Sequence, residues 1–429
     1  MKIKFVNHAS FIIDSPKVKL ICDPWFEGTA FDNGWSLLSK TQMKYEDFSE
    51  ITHIWFSHEH PDHFSPPNLV KIPLEYRKKI TVLFQETTDR KVAEFCKKIG
   101  FKEQIELKEN TFFEIAKDFE ILCNPYTDGD SYALFRIDGC TILNLNDCII
   151  NSEKSASDLA SLVGEVDILF TQFGYANKVG NVDDVEYRKL VSREKLERIK
   201  HQSKHLKPKS IVPFASFIYF CHEENKYMNT GMNTIGEVYS FIEKELNCKC
   251  VVLYPNDLWN VKEEWDAKMS IEKYNEDSQN VKLQKPLFST NVKFETLKIQ
   301  GSHFNNLLIN GFPNHKRKIE SLKANIYLTD LKTSFSFTGK HGLQMSTLEY
   351  DRCDIALSSE SLSYCFNNLW GGDTLSVNAR FQTTKYGEYK NFRIFGMMAS
   401  HLNRKEPYNF PSFYVVLKGK IKRLLFRKN

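Results

Sequence analysis

A chain of 429 residues is too long for one ordinary hydrophobic core, so two or three domains are expected. With 41% hydrophobic and 26% charged residues it has the composition of a soluble globular protein, and its small net charge of +4 argues against a nucleic-acid partner. No stretch reaches the roughly 18 uncharged apolar residues of a membrane span. The chain opens on a strand pattern without a secretory signal, and its 10 cysteines form no CxxC pair. We therefore expect a cytoplasmic protein with free thiols.

Short apolar runs bounded by turn residues predict strands throughout the first half of the chain. Helical patterns follow in residues 88–100, 182–208 and 234–248. The pair Asp138-Gly139 predicts a hairpin turn. Strands come first in meanders and then alternate with helices. This order predicts an α/β fold of two packed mixed sheets with helices outside, the αβ/βα sandwich.

The character of the sequence changes near Trp259. Residues 260–286 are polar and charged, which predicts a linker or domain boundary. We therefore expect a catalytic domain over residues 1–259 and a smaller α+β domain over residues 287–429. The final stretch, residues 418–429, is basic and apolar. Peripheral contact with an anionic membrane surface and an ordinary solvated helix end are both open for it.

The most informative stretch is SHEHPDHFS, which follows a predicted buried strand. It contains His58, His60, Asp62 and His63. The first two histidines share one face of an extended strand end, and the Asp-His pair follows around a turn. Imidazole and carboxylate groups are ligands of zinc, iron and manganese. The pattern predicts a site for one or two divalent metal ions, with a His-rich surface loop as the alternative.

This HxHxDH pattern resembles that of the metallo-β-lactamase fold. The segments NHASF, DPWFEGTAFDNGWSLL, ILNLNDC and VPFASFIYFCHEENKYMN are more closely similar to the catalytic domain of the CMP-N-acetylneuraminate hydroxylase family. A more distant similarity connects the chain to ascorbate-6-phosphate lactonase and to N-acylphosphatidylethanolamine phospholipase D. The resemblance implies that Asp147, at the end of a predicted strand, is a metal ligand. It also implies that His8 lies close to the metals, whereas Asp23 supports the site without binding metal.

The chain departs from the family pattern at two ligand positions. The family has another histidine before the bridging aspartate, but CNPYTDGDSYALF has none, so Tyr126, Asp128 or Asp130 would substitute. The last family histidine is also missing, and His222 would replace it. The Rieske iron–sulfur domain of the hydroxylase has no counterpart in the sequence, so electrons for an oxidation would come from a separate redox partner.

Three functions remain open at this point. The first is a metal-dependent hydrolase, in which a metal-bound hydroxide attacks an anionic phosphorylated or nucleotide-sugar-like small molecule. Asp62 and His8 would be its catalytic residues. The second is a di-iron oxygenase of a sugar or small metabolite, because oxygen ligands in place of histidines favour iron. The third is a non-catalytic binding module. Candidate substrate contacts are Lys178, Tyr227 and His222, with Arg188 and Lys226 as further cations.

Overall fold

The computed structural model describes residues 1–408, except for the side chain of Asp128. The chain divides into two compact units. The first comprises Met1–Phe288 together with Ser376–Arg380, and the second comprises Ser289–Leu375 together with the described residues 381–408. The basic stretch 418–429 lies outside the described residues, so the expectation of a membrane contact is not addressed by the structure.

The elements up to Phe288 are mostly short strands. In chain order they are β1 (Lys2–Asn7), β2 (Ser10–Asp14), β3 (Lys19–Cys22), β4 (Thr29–Ala30), β5 (Trp35–Leu37), β6 (His53–Trp55), β7 (Thr81–Gln85), β8 (Glu103–Leu107), β9 (Phe112–Ala116), β10 (Phe119–Pro125), β11 (Ser131–Ile137), β12 (Cys140–Asn144), β13 (Ile168–Gln172), β14 (Ser210–Phe214), β15 (Ile218–Phe220), β16 (Lys249–Cys250) and β17 (Leu258–Asn260). The helices are α1 (Pro66–Leu69), α2 (Leu74–Arg77), α3 (Lys91–Lys98), α4 (Glu153–Val163), α5 (Val185–Leu206), α6 (Ile235–Glu245) and α7 (Lys268–Leu283).

Two seven-stranded sheets form the first unit, in the orders β17-β1-β2-β3-β6-β7-β8 and β16-β14-β13-β12-β11-β10-β9. In each sheet, antiparallel strands continue into parallel ones, β3-β6-β7-β8 in the first and β12-β13-β14-β16 in the second. The parallel strands follow intervening helices, as crossover connections require. This mixed arrangement confirms the predicted α/β class.

The two sheets face each other across the main core. Phe11 of β2 stacks on Phe170 of β13 with ring centroids 4.1 Å apart. Strand alternation sorts the side chains: in β6, Trp55 joins this inner core, while Ile54 joins a second cluster on the other face of its sheet. Leu69 of α1 and Val92 of α3 belong to that second cluster, so helices cover the outer face.

The helices and the turn predicted from sequence form close to their predicted positions. Residues 88–100, 182–208 and 234–248 contain α3, α5 and α6. Asp138 and Gly139, with φ of 49° and 78°, make the tight turn that joins β11 to β12. Both angles are positive, as the favoured two-residue hairpin turn requires.

The segment 260–286, expected to be a linker, instead contains a helix that packs on the first unit. Tyr274 of α7 is buried and stacks on Phe217 with ring centroids 4.1 Å apart. Its hydroxyl donates a hydrogen bond to the carbonyl of Leu253 at 2.8 Å. The unit therefore extends to Phe288 instead of ending at Trp259. The polar composition of α7 hides this role, because the helix buries only one narrow side.

The elements after Phe288 build a second core. They are β18 (Lys323–Leu328), β19 (Thr333–Thr338), β20 (Gly342–Ser346), β21 (Ile355–Leu357), β22 (Phe381–Gln382), α8 (Phe294–Gly311), α9 (Lys316–Ser321), α10 (Ser359–Asn367), α11 (Gly371–Asn378) and α12 (Lys390–Asn403). The five strands form one sheet in the order β20-β19-β18-β21-β22. Within residues 1–408, no helix has the length and apolar character needed to cross a lipid bilayer. The cysteines, all of them in this range, are free thiols.

Candidate metal centre

The candidate ligands collect at one edge of the first unit, where strands of both sheets end. His8 lies in the turn between β1 and β2, and residues 58–63 follow β6. Asp130 precedes β11 and Asp147 follows β12. The backbone at His8 has a φ of 42°, in the left-handed region that costs a non-glycine residue energy. Strained residues of this kind concentrate at functional sites.

Three overlapping groups of side chains are close enough to share metal ions. They are His58-His60-Asp130, His58-His63-Asp147 and His8-Asp62-His63, and in each group the ligand atoms lie within 4.8 Å of one another. His8, His58, Asp62 and His63 are at most 2% exposed. Two groups thus share His58 and two share His63, as expected of a site for two neighbouring ions.

The two carboxylate oxygens of Asp147 face two different histidines. Its Oδ1 lies 3.4 Å from Nε2 of His63, and its Oδ2 lies 3.8 Å from Nε2 of His58. Asp130 approaches the same His58 nitrogen from another side, at 3.7 Å. Asp62 faces the opposite end of the site, with its Oδ2 3.4 Å from Nε2 of His63 and 3.3 Å from Nε2 of His8.

Several ligand atoms are buried without a hydrogen-bond partner among the described residues. These are Nε2 of His58, Nε2 of His63, Oδ1 of Asp62 and Nδ1 of His8. A buried polar atom left unsatisfied costs about 1–3 kcal/mol, so several at one place need a reason. Divalent cations accept lone pairs from imidazole nitrogens and carboxylate oxygens, so one or two ions held by the three ligand groups would satisfy the two imidazole nitrogens and the Asp62 oxygen. The donor set therefore fits a metal.

A further carboxylate aligns the two central histidines. Oδ2 of Asp23 lies 2.9 Å from Nδ1 of His63 and accepts the hydroxyl hydrogen bond of Ser57 at 2.7 Å. The Ser57 oxygen in turn lies 2.9 Å from Nδ1 of His58. Both histidines can thus donate from Nδ1 and keep Nε2 for a metal, the arrangement by which supporting carboxylates orient metal-binding imidazoles.

The protonation of the two histidines differs because their surroundings differ. Burial, with the neighbouring imidazoles of His63 and His60, holds the pKa of His58 well below its usual range. Burial alone would also lower the pKa of His63, but the carboxylates of Asp62, Asp147 and Asp23 outweigh it and raise that pKa well above the usual range.

The carboxylates of the site are held ionised. Burial raises the pKa of Asp147, yet His63 and His58 bring it down to about 2. The pKa of Asp62 lies well below its usual range, because His63 and His8 outweigh the effect of burial. Ionised oxygens facing imidazole nitrogens are ready to bind a cation.

The structure brings together most of the side chains singled out from sequence. His58, His60, Asp62, His63 and Asp147 all lie in the candidate centre, with His8 beside them. Of the three proposed substitutes for the absent family histidine, Asp130 reaches the site. The Tyr126 hydroxyl instead donates to the carbonyl of Ile149 at 3.1 Å. The side chain of Asp128, also predicted to bind metal, lies outside the described part of the structure.

The remaining candidates do not join any of these ligand groups. His222 is buried elsewhere, with its Nδ1 3.2 Å from the amide of Glu224, so its predicted role as a substitute ligand is not supported. Lys178 and Tyr227 form a pair, in which the ammonium donates to the hydroxyl oxygen at 2.8 Å. Arg188 lies over the same tyrosine ring, 5.1 Å from its centroid.

Sequence reasoning missed two residues that hold the centre in place, Ser57 and Gln172. The Gln172 amide donates a hydrogen bond to Oδ1 of Asp147. It is the last residue of β13, a strand that neighbours β12 in the sheet. The sequence shows Gln172 only as a polar residue at the end of an otherwise apolar strand. Its role beside Asp147 can be recognised only when β12 is known to be the neighbouring strand.

These features define a metal-binding protein built on a two-sheet sandwich. Residues 2–215 match the family described as the Beta-lactamase superfamily domain, and this part of the chain belongs to that superfamily. Divalent metals are the cofactors of its metallo-enzymes, and the His/Asp groups of this chain confirm the expectation of a divalent-metal site.

A curated relative is cytidine monophosphate-N-acetylneuraminic acid hydroxylase of Xenopus laevis, 25% identical over 243 residues. That match covers 53% of this chain and 40% of the relative, so the chain spans less than half of the relative's length. Among solved structures, CmlA, a diiron beta-hydroxylase from Streptomyces venezuelae, is 14% identical with a TM-score of 0.43 and covers 60% of this chain and 54% of its own. Isothiocyanate hydrolase from Delia radicum gut bacteria is 15% identical with a TM-score of 0.43, covering 61% of this chain and 98% of its own.

Proposed function

We propose that this chain is a metal-dependent hydrolase of an anionic, phosphorylated or sugar-like small molecule. The observation that carries the proposal is the convergence of buried, unpartnered donor atoms from His58, His63 and Asp62 at one edge of the fold. His58, His60 and Asp130 would hold one ion, Asp62 and His63 would hold a second, and Asp147 would be a further ligand. Divalent ions bound there supply electrostatic stabilisation of substrate oxygens and lower the pKa of water.

The chain's own residues supply orientation and proton handling. His8 holds Asp62 through the 3.3 Å contact between Nε2 and Oδ2. Because the ionised Asp62 can only accept, Nε2 of His8 is the donor in this contact, and Nδ1, which has no partner among the described residues, keeps its lone pair. His8 is therefore the group that would pass a proton to or from the substrate, while Asp62 keeps the ring in one orientation. Trp25 packs edge-on against His8 with centroids 5.7 Å apart and shields it from water.

A di-iron oxygenase is the second candidate, and a specific observation favours it. His58, His60 and Asp130 make a set of two histidines and one carboxylate, the donor set of many non-haem iron oxygenases. The curated relative from Xenopus laevis is named a hydroxylase. Under this alternative the substrate class would still be an anionic sugar or small metabolite, and a separate redox partner would provide electrons.

Metal content and oxygen dependence separate the two. The protein is purified without chelators and analysed for iron, zinc and manganese, beside His58→Ala and Asp147→Asn. It is then assayed on phosphate esters, sugar phosphates and nucleotide sugars, with and without oxygen. Turnover in anaerobic buffer that disappears in both variants is the expected result. Turnover only with oxygen and a reductant would replace hydrolysis by oxygenation. Failure to bind any of the three metals after reconstitution would remove both.

A further inference from the structure

The longest helix of the first unit carries two cations that no part of the site described so far uses. Helix α5 turns one row of residues towards the core, in which Arg188, Ser192, Ile199, Gln202 and Leu206 are buried. Their spacing of three and four residues is that of one helix face. Lys195 falls in the same row, midway between Ser192 and Ile199. Unlike those five residues, Lys195 is only half-buried, and Arg198 beside the row is half-buried as well.

The other polar residues of this row all have partners. Ser192 donates its hydroxyl to the carbonyl of Gly231 at 2.6 Å. Gln202 donates to the carbonyl of Ile150 at 3.0 Å and accepts from the Thr171 hydroxyl at 2.8 Å. Arg188 donates to the carbonyls of Asn181 and Val182. These bonds fix the rotation of α5 and so fix where the Lys195 side chain begins.

Lys195 and Arg198 differ from them. Neither makes a hydrogen bond or an ion pair with any residue in the part of the chain that the structure describes, and Nε of Arg198 is a buried atom without a partner. They are three positions apart on one helix, which brings their Cβ atoms to about 5–6 Å. Two cations at that separation repel each other, so leaving them together without an anion is costly.

Hydrogen bonds place α5 beside the strand end that supports Asp147, because Asn233 donates to the carbonyls of both Phe173 and Ser192, and Gln202 accepts from Thr171. Lys195 and Arg198 lie on the helix between Ser192 and Gln202. The negative charges of Asp147 and of Glu194 on α5 each raise the pKa of Lys195 and of Arg198, and so favour their charged forms. Glu194 is exposed, whereas Asp147 is already engaged by His63 and Gln172. Gln202 is hydrogen-bonded to Thr171, and the next residue, Gln172, donates to Asp147. This stretch of α5 therefore packs against the end of β13, next to the metal centre. Burial, then the charge of Arg198, lowers the pKa of Lys195 to about 7, as expected for a cation that lacks its counter-ion.

We propose that Lys195 and Arg198 form an oxyanion-binding subsite that holds a phosphate or carboxylate group of the substrate beside the metal centre. The proposal deepens the proposed function, on which its role in substrate binding rests. The subsite would take the non-reacting anionic group, so that the bond to be attacked faces His58, His63 and Asp147. An oxyanion bridging an ammonium and a guanidinium forms charge-assisted hydrogen bonds to both.

The test measures anion binding directly, so that it does not depend on finding the substrate. Binding of inorganic phosphate and of acetate to the as-purified protein is followed by calorimetry. The variants are Lys195→Gln and Arg198→Gln, each of which removes one charge and keeps most of the side-chain volume. Arg193→Gln and Lys200→Gln are the matched controls, because both residues are exposed on the same helix and carry the same charge. Metal content and thermal unfolding are measured for all four.

The expected result is at least a tenfold weaker phosphate affinity in Lys195→Gln and in Arg198→Gln, with less than a twofold change in the controls and unchanged metal content. If inorganic phosphate binds more tightly than acetate, the subsite is one for phosphate groups, and the reverse order identifies a carboxylate subsite. Equal losses in variants and controls would overturn the proposal, since the effect would be that of overall charge. Loss of metal in Lys195→Gln or Arg198→Gln would also overturn it, by assigning both residues to the support of Asp147. If no hydrolysis is found but the affinity pattern holds, the subsite stands and the proposed reaction fails.

Discussion

Nδ1 of His63 lies 2.9 Å from Oδ2 of Asp23, a carboxylate that is fully buried and belongs to none of the ligand groups. The contact decides which nitrogen of the imidazole is left for a metal. Asp23 has a φ of 41°, and its other oxygen accepts a hydrogen bond from the amide of Ser57 at 2.8 Å. Orientation of the centre therefore depends on a residue that would not touch the ion.

Replacing Asp23 should weaken metal binding although every ligand remains. In Asp23→Asn the side chain keeps its shape but loses the charge that holds the His63 proton on Nδ1. Supporting carboxylates of this kind are worth about 10–100-fold in metal affinity. We expect a loss in that range, measured by competition with a chromophoric chelator. Asp138→Asn is the control, because Asp138 is exposed in a turn and asparagine tolerates its positive φ. Equal affinity in Asp23→Asn and the parent would contradict this role.

Asp130 should determine how many ions are bound and which. Among the described candidates to replace the absent family histidine, only Asp130 belongs to a ligand group. Asp130→Asn should therefore lose up to one metal equivalent. Asp130→His should keep that equivalent and shift the preference towards zinc, because an imidazole replaces an oxygen donor. Elemental analysis after growth in mixed metals measures both effects. The control is Asp118→Asn, at an exposed position with a φ of 66°. Full metal content in Asp130→Asn would show that this carboxylate is not a ligand.

Metal affinity should rise with pH beyond the usual range of histidine titration. The raised pKa of His63 means that its imidazole is protonated at neutral pH in the metal-free protein. A metal must displace that proton, so affinity is low below the raised pKa and increases as pH approaches it. His58, with its lowered pKa, is already neutral at pH 7 and releases none. Calorimetry at pH 7 in two buffers of different ionisation enthalpy should detect about one proton released per protein molecule when the centre is filled. Buffer-independent heats would contradict the assignment.

The packing of α7 predicts a large effect for a residue in the segment first taken as a linker. Tyr274→Ala removes a stacked ring and a buried hydroxyl bond, so the free energy of unfolding should fall by about 3 kcal/mol or more. Urea denaturation measures it. Glu272→Ala, exposed on the same helix, should change the value by no more than about 0.5 kcal/mol. A similar small change for Tyr274→Ala would mean that α7 is dispensable to the first unit.

Sequence alone was enough for those features that depend on neighbouring residues. The HEHPDH motif, the Asp138-Gly139 turn and the ends of α5 and α6 all follow from patterns within a few positions. Asp147 came from the resemblance to a known family, since only the fold brings it to the motif. The choice among Tyr126, Asp128 and Asp130 could not be made from the sequence, because it depends on the path of the chain between β10 and β11, which includes a short 3-10 helix at Thr127–Gly129.

Other features needed the three-dimensional structure because they depend on distant partners. Tyr274 is buried by Phe217, which is far away in sequence, and the polar residues around it gave no sign of this. Lys195 looks like one of many surface lysines until its row on α5 is known. His222 shows the opposite error. It has the right residue type near the right strand, but its imidazole is occupied in a separate buried contact.

The ligands of the centre come from separate stretches of chain between residues 8 and 147, on two different sheets. Contacts this far apart in sequence form slowly, because a long loop must close before any of them is gained. During synthesis, the HEHPDH stretch is made well before β12 delivers Asp147. An ion captured at that stage would be held by the ligands of that stretch without Asp130 and Asp147. Correct loading thus becomes a late event in the maturation of the protein, and the supply of metal during folding should influence how much active material a cell obtains.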